Sequence, residues 1–342
     1  VKTGNTIVNM QGGNVTSMTG GDITNITSGT LATMTGGTIA SFAGGKINML
    51  DGGLVDAMSN GLIATFKSGK ITTVTGGGIT TMSGGEIDDL NGGTIAAMSN
   101  GLIKSIDGGK LSAMSGGNVT ELKSGEITGM TAGTVATMSG GDVKTLNGGT
   151  VVAMSDGTIT NILTGEVTTM TGGTIAALKG GDVKTLDGGL ITAMSGGKIT
   201  EIISGTVSSM TNGTITTFTN GLISSMGGGL ITNFNGGMLD SMTAGNVTTL
   251  RGGEIADMSG GIVGTLTDTG KIGSMAGTAK VNKMTGGNVT TITNGEIVAM
   301  SDGTVANLNG GKITTVTGGN ITSMTNGEVT TMNAGTIANM SG

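Results

Sequence analysis

The side chains in this chain that could do chemistry are few and evenly scattered. It has 22 carboxylates, no histidine and no cysteine. Asp88-Asp89 is the sole adjacent acidic pair. A metal or acid/base pair needs its oxygens on one side, whereas neighbours on a strand point apart, so the pair reads as a solvated turn flank. Calcium-binding nonapeptide repeats need an Asp at a fixed place after G-G-x-G, and that residue is missing here. The G-G-x-I runs mimic phosphate loops, but no Gly-Lys-Ser/Thr follows at the required spacing. Asn-x-Thr sequons at Asn14, Asn118, Asn246, Asn288 and Asn320 arise from a Thr-rich repeat. Methionine is a soft metal ligand, yet Leu, Phe and Ile replace it throughout its column, which is the behaviour of a packing position. The expectation is a protein that is not an enzyme, with no catalytic residue, no metal and no cofactor.

What organises the chain is an octad, seen in Gly93-Thr94-Ile95-Ala96-Ala97-Met98-Ser99-Asn100. Gly85 to Gly92 and Gly101 to Gly108 repeat it, as does the rest of the sequence. The aliphatic column, Ile7, Val15, Ile23 and onward to Ile337, has 42 members, all Ile, Val or Leu. The second apolar column, Met10 to Met340, also has 42, all Met, Leu, Ile, Phe or Val. Such discipline predicts burial of both columns, with Ile95, Met98, Ile103, Ile106, Val143, Leu146, Ile175 and Leu178 as representative core. Glycine stands two residues before the aliphatic position in 40 octads, Asn5 and Ala279 being the exceptions. Gly93, Gly101, Gly141 and Gly173 represent this turn position, where a positive φ is expected.

Composition narrows the class. Glycine is 71 of 342 residues, with no Pro, Trp or Tyr. Collagen would need glycine every third residue, and a disordered linker would not hold β-branched residues in register. The net charge of −6 is thinly spread without a basic run, which disfavours nucleic acid. No stretch of about 20 apolar residues exists to span a membrane as a helix. The octads are running by Ile7 and no atypical capping repeat is visible, so the chain is expected to be an interior segment of a longer array, or a unit joined end to end.

β-branched residues flanked by Gly-Gly, Asn-Gly and Asp-Gly pairs predict one short strand and one tight turn per octad. The expected fold is all-β: a parallel β-solenoid, or β-helix, of about 42 octapeptide repeats in one array over residues 1–342. Between Val263 and Val281 the spacing becomes nine residues twice, expected as a bulge at a turn. Charges fall mainly just after the glycine (Asp22, Lys46, Glu86, Asp142, Glu166, Lys198), where they should face solvent. The text at Gly141 recurs at Gly181, and similar offsets link Gly45, Gly85 and Gly125, which indicates duplication of five-octad blocks.

Ile95 and Met98 are three residues apart, so an unbroken strand would put them on opposite faces. Either the chain bends at Ala96-Ala97 and both enter one core, or Met turns outward against another chain. The octad period resembles that of the triple-stranded β-helices of phage tail needles and fibres, in which a Val-and-Gly octapeptide runs through three intertwined chains. The motif departs from that family: there Val precedes Gly by two residues, whereas here Ile or Val follows it, as in Gly93-Thr94-Ile95. The resemblance implies a homotrimeric shaft, and the leaning is towards that arrangement over a single-chain coil. Each octad would then climb a full strand spacing, against a half or a third in a single chain. The functional expectation is a rigid fibre shaft, extracellular or on a virion. It would self-associate as homotrimer or polymer and meet a cell-surface receptor only through flanking regions. A bacterial or archaeal surface filament or adhesin stalk is the alternative. An ice- or glycan-binding solenoid is another, although Asp56, Lys104, Lys144 and Lys184 interrupt the Thr rows.

Overall fold

A computed structural model describes residues 1–341, and among them every regular element is a β-strand. Its contacts gather the chain into two units, Val1–Thr174 and Ile175–Gly342. Each is a parallel β-solenoid whose repeating element is a five-residue strand, as in Thr94–Met98 of the first unit and Thr214–Phe218 of the second.

The register fixes the coil. In the first unit Leu31 pairs with Ile47, Ile47 with Ile63, Ile63 with Ile79, and Ile79 with Ile95, always in parallel and sixteen residues on. In the second, Ile199, Ile215, Ile231, Val247 and Val263 form such a ladder. One coil is therefore two octads. This corrects the leaning towards three intertwined chains: the neighbour of every such strand is the next coil of the same chain. A strand ladder advances about 4.8 Å per coil, so eight residues climb about 2.4 Å, half a strand spacing.

The bend decides where the columns point. Along Thr94–Met98, Ile95 and Met98 are buried while Thr94, Ala96 and Ala97 are exposed. The chain turns at the Ala pair and both apolar columns enter one core, the first of the two closures the spacing allows. Ile103, Ile106, Val143, Leu146, Ile175 and Leu178 are all fully buried. In the flanking coils, which have a neighbour on one side, Ile7, Val15, Val329 and Ile337 are partly exposed, and Met332 and Met340 reach 41% and 68%. Like lies on like: Phe218 pairs with Phe234, ring centroids 4.7 Å apart and tilted by 40°, a favourable aromatic arrangement.

The corners explain the glycine. Gly93, Gly101, Gly141 and Gly173 have φ of 70°, 105°, 67° and 76°. Gly101 shows why no side chain fits: a Cβ there would lie 2.7 Å from Met82 Cε and 2.8 Å from Gly85 O, both in the coil before. The same corner donates a hydrogen bond from Leu102 N to Gly85 O at 3.0 Å. The two octads without this glycine carry the left-handed residue earlier, at Gly4 directly before Asn5 and at Gly277 two places before Ala279. Ser or Thr after the second apolar column adds a weaker bond to the coil below, as from Thr171 Oγ1 to Met154 O at 3.4 Å.

The nine-residue repeats enlarge the coil and the ladder absorbs them. Ile255 pairs with Ile272, Val263 with Val281 and Ile272 with Val289, after which Val281 to Ile297 restores sixteen. The added residues form tight turns closed by Gly270 N to Thr267 O and by Ala279 N to Ala276 O, at 3.0 and 3.1 Å. Asp268 takes φ 52° there. In both enlarged repeats the residue after the aliphatic one is glycine, Gly264 and Gly273. A Cβ would lie 2.6 Å from Thr248 O and 2.5 Å from Ala256 O respectively.

Truncating a column residue should therefore differ sharply from changing its exposed neighbour. Met98→Ala should cost about 2–5 kcal/mol in denaturant unfolding, and Met98→Asp more, because it buries an unpaired charge. Thr94→Asp should stay within about 0.5 kcal/mol of the parent. Equal effects at the two positions would refute burial of the second column.

Candidate functional surface

Residues one before and one after each aliphatic residue point outward on the same face, because strand side chains alternate. The coil adds a second neighbour relation, between residues about sixteen apart. Together these place charges two apart in one coil against charges of the next. Lys70 Nζ lies 3.2 Å from Glu86 and 2.7 Å from Asp88, and Lys104 Nζ lies 2.7 and 2.9 Å from the same two carboxylates. This four-residue cluster occupies three successive coils. A second chain of pairs joins Lys110 to Glu126 at 2.9 Å, and Lys144 to Asp142 at 2.9 Å and Glu126 at 3.9 Å. In the second unit Lys280 pairs with Glu296 and Lys312 with Glu328, at 3.1 and 3.0 Å.

These contacts set the titration of the groups. Lys70 and then Lys104 hold the Asp88 carboxyl well below its ordinary value, at about 2. Glu86 and Asp88 raise Lys104 in turn. The hydroxyl of Thr128 and then Lys110 lower Glu126, and Lys280 and then Thr314 lower Glu296. In each of these carboxylates a neighbouring cation or hydroxyl stabilises the charged form.

The sequence-derived candidates fall into place as follows. Asp88 is committed to its two lysines, while Asp89 sits in register with Thr73 and Ser105. The acidic pair is thus divided between two surroundings. Among the described residues no three carboxylates gather where they could hold a metal ion. Asn14, Asn118, Asn246 and Asn288 are exposed, and Asn320 is half-buried. Thr200, Thr216, Thr232 and Thr248 follow paired aliphatic residues and so form a four-rung threonine row, ended on one side by Gly264. No helix among the described residues is long and apolar enough to cross a membrane.

A concavity lies on the second unit's surface. Gly264 leaves a gap between Thr248 and Asn282, and the depression of about 240 Å³ is walled by Leu230, Ile262 and Asn246, with Val247 contributing to its lining. It combines an apolar wall with two carboxamides and a hydroxyl, and none of its lining residues is charged. Sequence reading noted the irregular repeats without the notch they create; the signal was the glycine after Val263. It also missed the ion pairs, whose signal was opposite charges sixteen apart: Lys70 and Glu86, Lys110 and Glu126, Lys280 and Glu296, Lys312 and Glu328.

No protein-family model matches this chain, and no curated protein and no solved structure matches it.

The Asp88 cluster gives a pH dependence with a definite sign. Its folded value lies below the unfolded one, so its contribution is complete above the ordinary carboxylate range. That contribution is lost as pH falls from about 4 towards about 2. Asp88→Asn should lower stability at neutral pH by up to about 1 kcal/mol, the scale of a surface ion-pair network. Its unfolding midpoint should converge on the parent's through that acid window; a gap independent of pH would refute the ionic origin.

Proposed function

We propose that this chain is a non-catalytic structural element, a rigid shaft of a fibre, surface filament or stalk outside a cell or on a virion. It associates with further copies of itself, and flanking regions meet any receptor. The observation that carries this reading is the uniformity of the coil. Each unit carries two apolar columns into its core and joins coil to coil by parallel backbone bonds, and opposite charges sixteen residues apart pair between coils. Repeat arrays of this kind resist deformation because each coil leans on its neighbours. The single-chain ladder removes the reason for an intertwined viral shaft, so self-association here means joining completed coils. A glycan-binding role is the second reading, supported by the notch at Gly264, whose apolar wall and amides suit a neutral sugar.

Force spectroscopy on the full chain tests the shaft. Extension should proceed in steps that are multiples of one coil, each coil of sixteen residues releasing at most about 55 Å. Extension without measurable resistance would overturn the reading. In a glycan array, binding lost in both Asn282→Ala and Ile262→Asp would move the assignment to the second reading.

A further inference from the structure

The chain carries five Asp-Gly pairs, at Asp51, Asp107, Asp156, Asp187 and Asp302, and the coil divides them into two chemical classes. Asp51, Asp107 and Asp187 directly follow the second apolar column, and each carboxylate is held by the coil above. Ser68 Oγ and Lys67 Nζ donate to Asp51, both at 3.1 Å. Ser124 Oγ donates to Asp107 at 2.9 Å, and Ser204 Oγ to Asp187 at 3.2 Å. Asp156 and Asp302 stand one place later, immediately before the left-handed corner glycine. Their carboxylates turn back on their own backbone: Gly157 N donates to Asp156 Oδ1 and Gly303 N to Asp302 Oδ1, each at 2.7 Å. Both aspartates are exposed, so water and base reach them.

We propose that Asp156 and Asp302 are sites of spontaneous backbone isomerisation to isoaspartate, selected by the corner geometry. The glycine nitrogen that the carboxyl group already touches is the nucleophile for ring closure. Gly157 N loses its proton and bonds to Asp156 Cγ, and the hydroxyl of the protonated carboxyl leaves as water. The product is a five-membered succinimide. Water then adds to one of its two carbonyls. Opening at one carbonyl restores aspartate; opening at the other leaves the main chain running through the former side chain. One water is released and one consumed, and nothing is oxidised or reduced. Glycine carries no side chain to obstruct the attack, and its φ of 90° at Gly157 and 98° at Gly303 is one that other residues rarely adopt. The three control aspartates have the same dipeptide, but their carboxyl groups are drawn away towards serine hydroxyls. Holding the reacting atoms together is the kind of positioning that accelerates an intramolecular step. Each event adds one methylene to a corner packed tightly on the coil below, where a Cβ on Gly303 would lie 2.7 Å from Met284 Cε.

The test uses the full chain, aged at mildly acidic pH and raised temperature, both folded and in concentrated urea. Peptide mapping with electron-transfer fragmentation then locates isoaspartate. In the folded chain Asp156 and Asp302 should isomerise at least about tenfold faster than Asp51, Asp107 and Asp187. In urea the five should converge, because only the dipeptide remains to set the rate. Equal rates in the folded chain, faster reaction at the serine-held trio, or a preference that persists in urea would each overturn the proposal.

Discussion

The corner is the constraint on which the structure depends. A coil of two octads has two of them, and each must reverse the chain while lying directly on the corner before it. At Gly101 the space a side chain would need is already filled by a methionine methyl and a carbonyl oxygen of the preceding coil. Glycine serves two ends there: it adopts the left-handed conformation, and it lets two coils approach to hydrogen-bonding distance. The methionine column belongs to the same device, because an unbranched thioether reaches under the next corner and fills it. Where the corner is enlarged, at Asp268 and Gly277, the demand shifts along the chain, and Gly264 and Gly273 appear where the strand comes too close to the carbonyl below.

Stacking then turns composition into chemistry. Because every residue meets its counterpart one coil away, a charge placed after the glycine meets whatever stands there sixteen residues later. Lys280, Glu296, Lys312 and Glu328 alternate in sign along one ladder, so a surface of modest charge becomes a series of attractive contacts. Along that ladder the lysines hold Glu296 and Glu328 below the ordinary carboxylate range. The same logic separates Asp88 from Asp89. One faces outward between two cations, and the other is turned by the bend towards serine and threonine neighbours.

Much of this was legible in the sequence. The two apolar columns, the glycine corner and the parallel stacking follow from period and residue type, because 84 column positions are apolar without exception and identical octads stacked in parallel give every copy the same surroundings. The number of octads per coil did not follow from the period, since an octad can close on one, two or three sides with the same internal pattern. What distinguishes these cases is correlation between repeats, and that was present in the lysine–glutamate pairs sixteen residues apart. Reading the octad as an isolated unit concealed it. The notch at Gly264 was hidden for a different reason: the missing side chain matters only because Thr248 and Asn282 stand on either side of it in the folded ladder, far apart in the sequence.

The pairing of two octads per coil also bears on how such a gene can change. Gain or loss of sixteen residues inserts or removes a whole coil and leaves every downstream residue on its original side. Gain or loss of eight preserves the core equally well but transposes everything downstream to the opposite side, separating Lys70-type cations from their carboxylates and breaking any threonine row. The five-octad blocks beginning at Gly45, Gly85 and Gly125 are copies of this second kind: Ile47 and Ile87 belong to different ladders of the first unit. The hydrophobic interior is thus indifferent to replication slippage by a single octad, while the outer surface is reshuffled by it. Length polymorphism in such an array would be a source of surface variation at almost no cost to folding.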